Sequence, residues 1–457
     1  MKQALIFLEN VALRPMLRRA AYARKQGYAC YLIYSPLKEF EQAALAEMEA
    51  DLGMHLFERI ETTTCFELPH LRNLVRSIAS EADVKGLTGM LGLFTVDGLL
   101  GAHTATLAAE LGVPTQNPDA LYRANNKYLM RDALRHAGVP TVDFGMAYDE
   151  QTAVEHARRI GFPVILKPVT GAASHLILKC EDEQQVIERF RMALEKLPTS
   201  ANASIYEGAH VYADRAGVEH QFDPLKGMLV EGYLSGREAS VEMVITEQEA
   251  VPLLVHDKIV MTEGERVFYE HLLVVPPMRF TDEEVQQMKD YATSAVRALG
   301  LQNCLSHVEL RYDDRLGPQI LEINPRVGGM CVADSLEALV GFDVLKAQVE
   351  QATGTFELQD AYPVKDEKYG MFTLYPPHSG VFEAVEGLEE LNQLPGMVFS
   401  RLVYPIGTKI DGDDEEVFLL MCWVRGDSYE SIIETYEQAE RLVTFSVRKE
   451  EKASQEV

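Results

Sequence analysis

Between Ala4 and Tyr34 the chain sets out a strand, a helix and a second strand in succession, and this order constrains the fold more than any other feature. Ala4–Leu8 is an unbroken apolar run of strand length, Arg14–Lys25 carries apolar residues at helical spacing and stops at Gly27, and Ala29–Tyr34 is strand-like again. Two strands joined through a helix lie parallel, so the N-terminal region is expected to be an α/β layer structure. Lys85–Phe94 reads as a further strand and His103–Leu111 as a helix, closed by Gly112-Val113-Pro114. A dinucleotide fold would show glycines after its first strand. Phe7-Leu8-Glu9-Asn10 stands there instead, which argues against a nicotinamide cofactor.

The next segment starts near Asn117. Lys127–Ala137 is a helix pattern stopped by Gly138 and Pro140, and Ala153–Ile160 is a second. Val164-Ile165-Leu166-Lys167 is a short strand ending in a lysine, followed by the small-residue loop Thr170–Ser174 and a strand from Leu176 to Lys179. Pro198–Pro224 is polar and weakly periodic and reads as a long loop. From Met228 strands dominate: Met228–Glu231, Ala239–Ile245 and Val251–His256, then a helix over Asp282–Leu299 and strands at Leu305–Arg311 and Gln319–Asn324. The last hundred or so residues read as an α+β module, with strands at Lys368–Tyr375, Val398–Tyr404 and Val417–Val424 and a helix at Ser428–Leu442. The expected domains are residues 1–117, 118–356 with a small lid subdomain at about 140–230, and 357–457.

Composition enters where partners are at issue. Lys plus Arg number 43 against 70 Asp plus Glu, a formal charge of −27, so nucleic acid and anionic membrane are not expected as partners. The segment Met1–Asn10 lacks the apolar core of a secretory signal, and no run reaches the 18 or so apolar residues of a membrane span. Six cysteines lie far apart without a CxxC pair and read as reduced thiols of a cytoplasmic protein.

The chemistry concentrates near the end of the central segment. If Leu305–Arg311 and Gln319–Asn324 pair antiparallel with Glu309 opposite Glu322, then Arg311 falls opposite Ile320. Facing carboxylates repel unless a cation lies between them. With Asn324 on the same face they form an all-oxygen set suited to Mg²⁺; on a solvated sheet face they would carry no function. Arg326 follows on a turn shaped by Pro325, Gly328 and Gly329, where its planar fork suits a carboxylate or a developing oxyanion. Lys167 ends a strand before a loop of small residues whose N–H groups can approach phosphate. Lys127 opens a helix, where a cation opposes the dipole and an anion is welcome.

Taken together, Asn126-Lys127-(x)3-Arg131, Gly161-Phe-Pro-Val-Ile-Leu-Lys-Pro168, Val230-Glu-Gly-Tyr-Leu-Ser-Gly-Arg-Glu238, His307-Val-Glu309 and Glu322-Ile-Asn-Pro-Arg326 resemble the ATP-grasp superfamily in order and spacing, over about residues 1–345. The resemblance implies an ATP-grasp fold with an N-terminal Rossmann-like pre-ATP-grasp domain and a C-terminal α+β module. It implies that Lys127 and Lys167 hold the α- and β-phosphates of ATP under a lid of Gly171, Ala172, Ala173 and Ser174. Glu231, Gly232, Tyr233 and Leu234 would form the hinge against adenine, and Glu238 would bind ribose. Glu309, Glu322 and Asn324 would ligate Mg²⁺, with Mn²⁺ as an alternative, and Arg326 would stabilise an acyl-phosphate.

Within the superfamily, Gly300–His307 and Val255-His-Asp-Lys258 are similar to bacterial L-amino-acid ligases of the bacilysin-synthetase kind, which join two amino acids. That resemblance implies a carboxylate and an amine as small-molecule partners, a homodimer as one assembly, and His256, Lys258, Gly328 and Gly329 near the substrate. Those ligases lack the asparagine and proline found here at Asn324 and Pro325, which leaves the substrate pair open. Two other readings stay open: an ATP-grasp ligase of purine or siderophore assembly, and a nucleotide-binding regulator without turnover. Biotin carboxylase, with a longer glycine lid, fits less well.

Overall fold

The structure is a computed structural model that describes residues 2–10, 13–89, 100–171, 175–199, 209–213, 218–264, 266–412 and 416–449. Its first layer is a parallel sheet of β1 (Gln3–Leu8), β2 (Ala29–Tyr34), β3 (Arg59–Thr62) and β4 (Asp83–Thr88), in the order β3-β2-β1-β4. The apolar runs of β1 and β2 are buried on both faces under α1 (Leu13–Lys25), α2 (Glu39–Leu52), α3 (Leu68–Ala79) and α4 (Leu100–Leu111), as parallel strands require. The strand expected to run to Phe94 ends at Thr88, and residues 90–94 lie outside the described part.

The helices α5 (Pro118–Asn125) and α6 (Lys127–His136) lead into a small sheet of β5 (Phe144–Ala147), β6 (Val164–Lys167), β7 (Leu178–Cys180) and, later in the chain, β10 (Met228–Gly232). The helices α7 (Glu150–Ile160) and α8 (Glu183–Lys196) pack on it around Val164, Leu166, Phe190 and Val230. Asp149 and Asp182 cap them by accepting from the N–H groups of Thr152 and Gln185. Within the stretch expected to be a loop, β8 (His210–Ala213) and β9 (Glu219–Phe222) pair as a hairpin. Its alternation is too short and too polar to stand out as strand in the sequence.

An eight-stranded sheet follows. Its strands are β11 (Arg237–Ile245), β12 (Ala250–Glu263), β13 (Phe268–Val275), β14 (Cys304–Asp313), β15 (Gly317–Asn324), β16 (Lys368–Leu374), β18 (Met397–Leu402) and β20 (Leu420–Gly426), in the order β15-β14-β11-β12-β13-β16-β20-β18. The helix α9 (Asp282–Leu299) packs on one face, opened by a Thr281/Glu284 capping box and closed by Gly300 in the left-handed region. The helices α10 (Val332–Val340) and α11 (Val344–Thr353) follow β15, and Val349 and Ala352 of α11 pack under the N-terminal sheet. The sheet runs without a break across the boundary read at residues 356/357, since β16, β20 and β18 extend it from β13. The short α12 (Leu388–Leu391) and α13 (Tyr429–Leu442) cover that end. A three-stranded sheet of β17 (Gly380–Glu386), β19 (Lys409–Ile410) and β21 (Thr444–Arg448) completes the fold. Among the described residues no helix is long and apolar enough to cross a membrane.

Period-two alternation positions the functional side chains. On β11, Ala239, Val241, Met243 and Ile245 join the core beneath α9, so Glu238, Ser240 and Glu242 point the other way. On β14, Val308, Leu310 and Tyr312 go to that core, leaving His307, Glu309 and Arg311 opposite. β15 carries a bulge: Glu309 pairs with Glu322 as expected, but Leu310 pairs with Ile320 and Arg311 with Gln319 rather than Ile320. The extra residue is Leu321. It lets Ile320 and Ile323 both enter the core while Glu322 and Asn324 stay on the charged face.

Candidate active site

A cavity of about 520 Å³ lies between the small sheet and this charged face. Its walls come from β6, from the Glu231–Leu234 segment that passes between the two sheets, from β11–β15 and from the turn after β15. Lys127, Lys167, Gly171, Glu231–Leu234, Glu238, Lys258, Glu309, Glu322, Asn324, Arg326, Gly328 and Gly329 all line it, so sequence segments far apart meet in one place. Ala172, Ala173 and Ser174 lie outside the described residues. His256 is not brought to the cavity: it is fully buried, its Nε2 2.8 Å from Ser335 Oγ, and burial lowers it to about 4 against the pull of Glu242.

On the wall formed by α6, β6 and β10, cations and carboxylates are matched. Lys127 Nζ is 3.0 Å from Glu322, and Lys167 Nζ is 2.6 Å from Glu231. Arg131, fully buried, holds Glu231 through Nε (3.1 Å) and Nη2 (3.3 Å) and reaches the carbonyl of Ile320 on β15 at 2.6 Å. It thus clamps the end of β10 to the strand bearing Glu322. Burial pushes the Glu231 carboxyl up, but Arg131 and Lys167 hold it below its usual range. The Lys167 ammonium is lowered by burial, which outweighs Glu231.

The opposite wall is organised around Lys258, 1 % exposed. Its ammonium lies 2.9 Å from Glu238 and 2.9 Å from Glu309 and also contacts Glu270. Burial would lower this ammonium, but the three carboxylates raise it well above its ordinary value. Glu238 is shared with Arg311, whose Nε donates to it at 2.9 Å while Nη1 donates to the carbonyl of Leu234 at 2.7 Å. Tyr233 donates to Glu263 at 2.9 Å, and Lys179 lies 4.3 Å from its ring centre. Beside them, His307 contacts Glu242 through Nδ1 and lies 3.5 Å from Glu309 through Nε2. Burial would lower its imidazole; Glu242 and Glu309 raise it to about 9. Glu242 also accepts from the N–H of Gly328 at 3.1 Å. A Cβ on Gly328 would come 2.7 Å from His307 Nδ1, so the turn carrying Arg326 needs glycine there, whereas at Gly329 it would meet nothing within 4 Å.

Sequence reading missed Glu270, Arg311 and the C-terminal residues Glu416 and Phe418, which also line the cavity, and Glu242, which is buried behind its wall against His307 and Gly328. Glu416 accepts from Tyr375 Oη at 2.6 Å and from the N–H of Glu270 at 2.8 Å. Burial and the neighbouring Glu270 raise its carboxyl to about 8. The alternation of β11 was the available signal for Glu242. Nothing in the local pattern around Glu416 places it at a site some hundred or more residues away in sequence.

The arrangement fits an anionic ligand accompanied by a divalent cation. Among the described residues Thr170 Oγ1 and Arg326 Nε are buried without hydrogen-bond partners and belong to residues lining the cavity, as donors left open for phosphate oxygens would. The two facing carboxylates each hold an ammonium, the charge compensation a metal would supply, and Asn324 Nδ2 donates to Glu309 at 3.2 Å.

Residues 160–334 match the ATP-grasp domain family, and residues 372–448 match L-amino acid ligase C-terminal domain 2. The chain is 25 % identical to human carnosine synthase 1 over 69 % of its own length and 37 % of that protein's, and 24 % identical to alanine–anticapsin ligase of Bacillus subtilis over 57 % and 53 %. It thus spans between a third and just over half of these curated relatives. The crystal structure of an L-amino acid ligase from Bacillus licheniformis shares the fold, with a TM-score of 0.77 over 98 % of this chain and 99 % of that one at 19 % identity.

Proposed function

We infer that this chain, which carries an ATP-grasp domain and the C-terminal domain of L-amino acid ligases, is an ATP-dependent ligase that joins a carboxylate to an amine. The observation that carries the reading is the meeting, in one cavity, of the Glu309/Glu322 pair, Arg326 and two lysines from separate elements. In this reading Lys127 and Lys167 leave their carboxylates to hold phosphates of ATP. Ile165, Leu234 and Leu321 offer apolar surface for adenine beside the Glu231–Leu234 backbone. Glu238, tied to Lys258 and Arg311, orders the floor where ribose would lie. Glu309, Glu322 and Asn324 would hold Mg²⁺ or Mn²⁺, which when bound neutralises phosphate charge.

The substrate carboxylate attacks the γ-phosphorus and ADP leaves; the amine then attacks the acyl carbon and phosphate leaves. Arg326 is placed to compensate charge on the acyl-phosphate and on the tetrahedral state that follows. Amino acids are the expected acid and amine, in a cytoplasmic enzyme. Release of ADP and phosphate should depend on an amino acid or similar carboxylate, and hydroxylamine should trap the acyl group as a hydroxamate. AMP as the nucleotide product would overturn the mechanism, and ADP without hydroxamate would make a kinase the better reading.

A further inference from the structure

Arg326 and Val327 line the large cavity and also a second one of about 60 Å³, formed where the N-terminal sheet meets the eight-stranded sheet. Arg19 of α1, Thr88 at the end of β4 and Gly89 just beyond it, Asn303 before β14 and Gln348 of α11 face it. In the order β3-β2-β1-β4 the winding reverses between β1 and β4, and the crevice beyond the carboxyl ends of two such strands is where open α/β sheets take ligands. The backbone is kept bare here. A Cβ on Gly89 would come 2.2 Å from the carbonyl oxygen of Leu8, and one on Gly86 2.2 Å from that of Ala352 in α11.

Arg19 is 4 % exposed, yet among the described residues its guanidinium hydrogen-bonds to neutral partners. Nε donates to Gln348 Oε1 at 2.7 Å, and Nη1 donates to the carbonyl of Gly89 at 3.1 Å and reaches Met16 Sδ at 3.9 Å. Burial lowers it to about 10 against the field of Glu9, so it remains a cation at neutral pH. A buried cation on neutral partners, facing a cavity, is matched best by an anionic ligand. The cavity has room for a carboxylate and a few further atoms, at roughly 10–15 Å³ for one water.

Building on the ligase reading, we propose that this interdomain cavity receives the carboxylate of the amine substrate against Arg19. The amine then reaches the acyl-phosphate at Arg326 as the amino group of an amino acid, from the side away from the nucleotide. The two cavities divide the work: one holds the phosphates and the activated acid, the other aligns the nucleophile.

Hydroxylamine provides the test, because it carries no carboxylate. Arg19→Gln should form hydroxamate from the activated acid at the wild-type rate, which also reports an intact fold. With the best amino-acid nucleophile its kcat/KM should fall by about 10- to 10²-fold, the scale of one lost charge-assisted contact, mainly through KM. The decarboxylated amine of that amino acid should be used equally by both proteins, and Arg19→Lys should recover part of the loss. Equal losses with hydroxylamine and amino acid would make Arg19 structural and overturn the site, as would no loss with either. Absence of hydroxamate in the wild type would overturn the ligase reading, and this inference with it.

Discussion

On the wall formed by α6, β6 and β10 each acidic group meets a base of its own: Lys127 stands with Glu322, and Glu231 is shared by Arg131 and Lys167. On the floor formed by β11 to β14, three carboxylates converge on Lys258, with Arg311 behind one of them. The first arrangement can open, because a phosphate can replace a carboxylate as partner of a lysine without a net change of burial. The second cannot lose its centre, because Glu238, Glu270 and Glu309 would be left in a low-dielectric site with little compensation. One wall is therefore built to exchange partners and the other to hold a shape.

The sharpest way to break this contrast is through turnover. Glu322→Ala should abolish ADP release while changing the thermal midpoint little, since relief of the like-charge contact with Glu309 offsets the lost ion pair to Lys127. Retained wild-type turnover would return Glu309 and Glu322 to a structural role. Arg326→Ala should bind MgATP nearly as wild type and lose the chemical step by ~10² to 10³. Binding by calorimetry and single-turnover rates separate the two effects.

Stability distinguishes the walls next. Lys258→Met should destabilise by about 3–5 kcal/mol in denaturant titrations, the cost of leaving buried charges unpaired, and more so at alkaline pH where the carboxylates cannot take up protons. Lys127→Met should change stability much less and should instead weaken ATP binding. Equal losses from the two variants would remove the distinction between an exchangeable wall and a fixed floor.

The smallest effect concerns Glu416, through which the C-terminal module reaches the floor. Its folded carboxyl titrates near 8, above an unfolded value near ~4.3. The native state then binds more protons between these values, so this group's contribution is full below the unfolded value and is lost as pH rises through 8. Glu416→Gln should flatten the decline of unfolding free energy between about pH 5 and 8. An unchanged slope would show that the Glu270–Glu416 pair does not hold a proton.

Much of this was legible before any coordinates. The βαβ start, the helix over Asp282–Leu299 and the Glu309/Glu322 pairing follow from periodicity and side-chain chemistry within short windows. The register beyond Glu309 was not legible, because the bulge at Leu321 changes the parity of β15 without any glycine or proline to mark it. The floor was hidden for a different reason. Resemblance put Lys258 near the substrate, but no local pattern shows that three carboxylates from three different strands converge on it.

What the sequence determined by itself is therefore the set of local rules: which segments are strands or helices, which residues share a face, and which short motifs carry phosphate and metal chemistry. Which faces meet was decided only by the tertiary structure. The eight-stranded sheet joins β13 to β16 across nearly a hundred residues of chain, and it is this pairing that brings Glu416 to Glu270 and makes the C-terminal module a wall of the cavity. Periodicity records each strand's own alternation. The free energy that selects one partner strand over another comes from burying faces distant in sequence, which no local window contains.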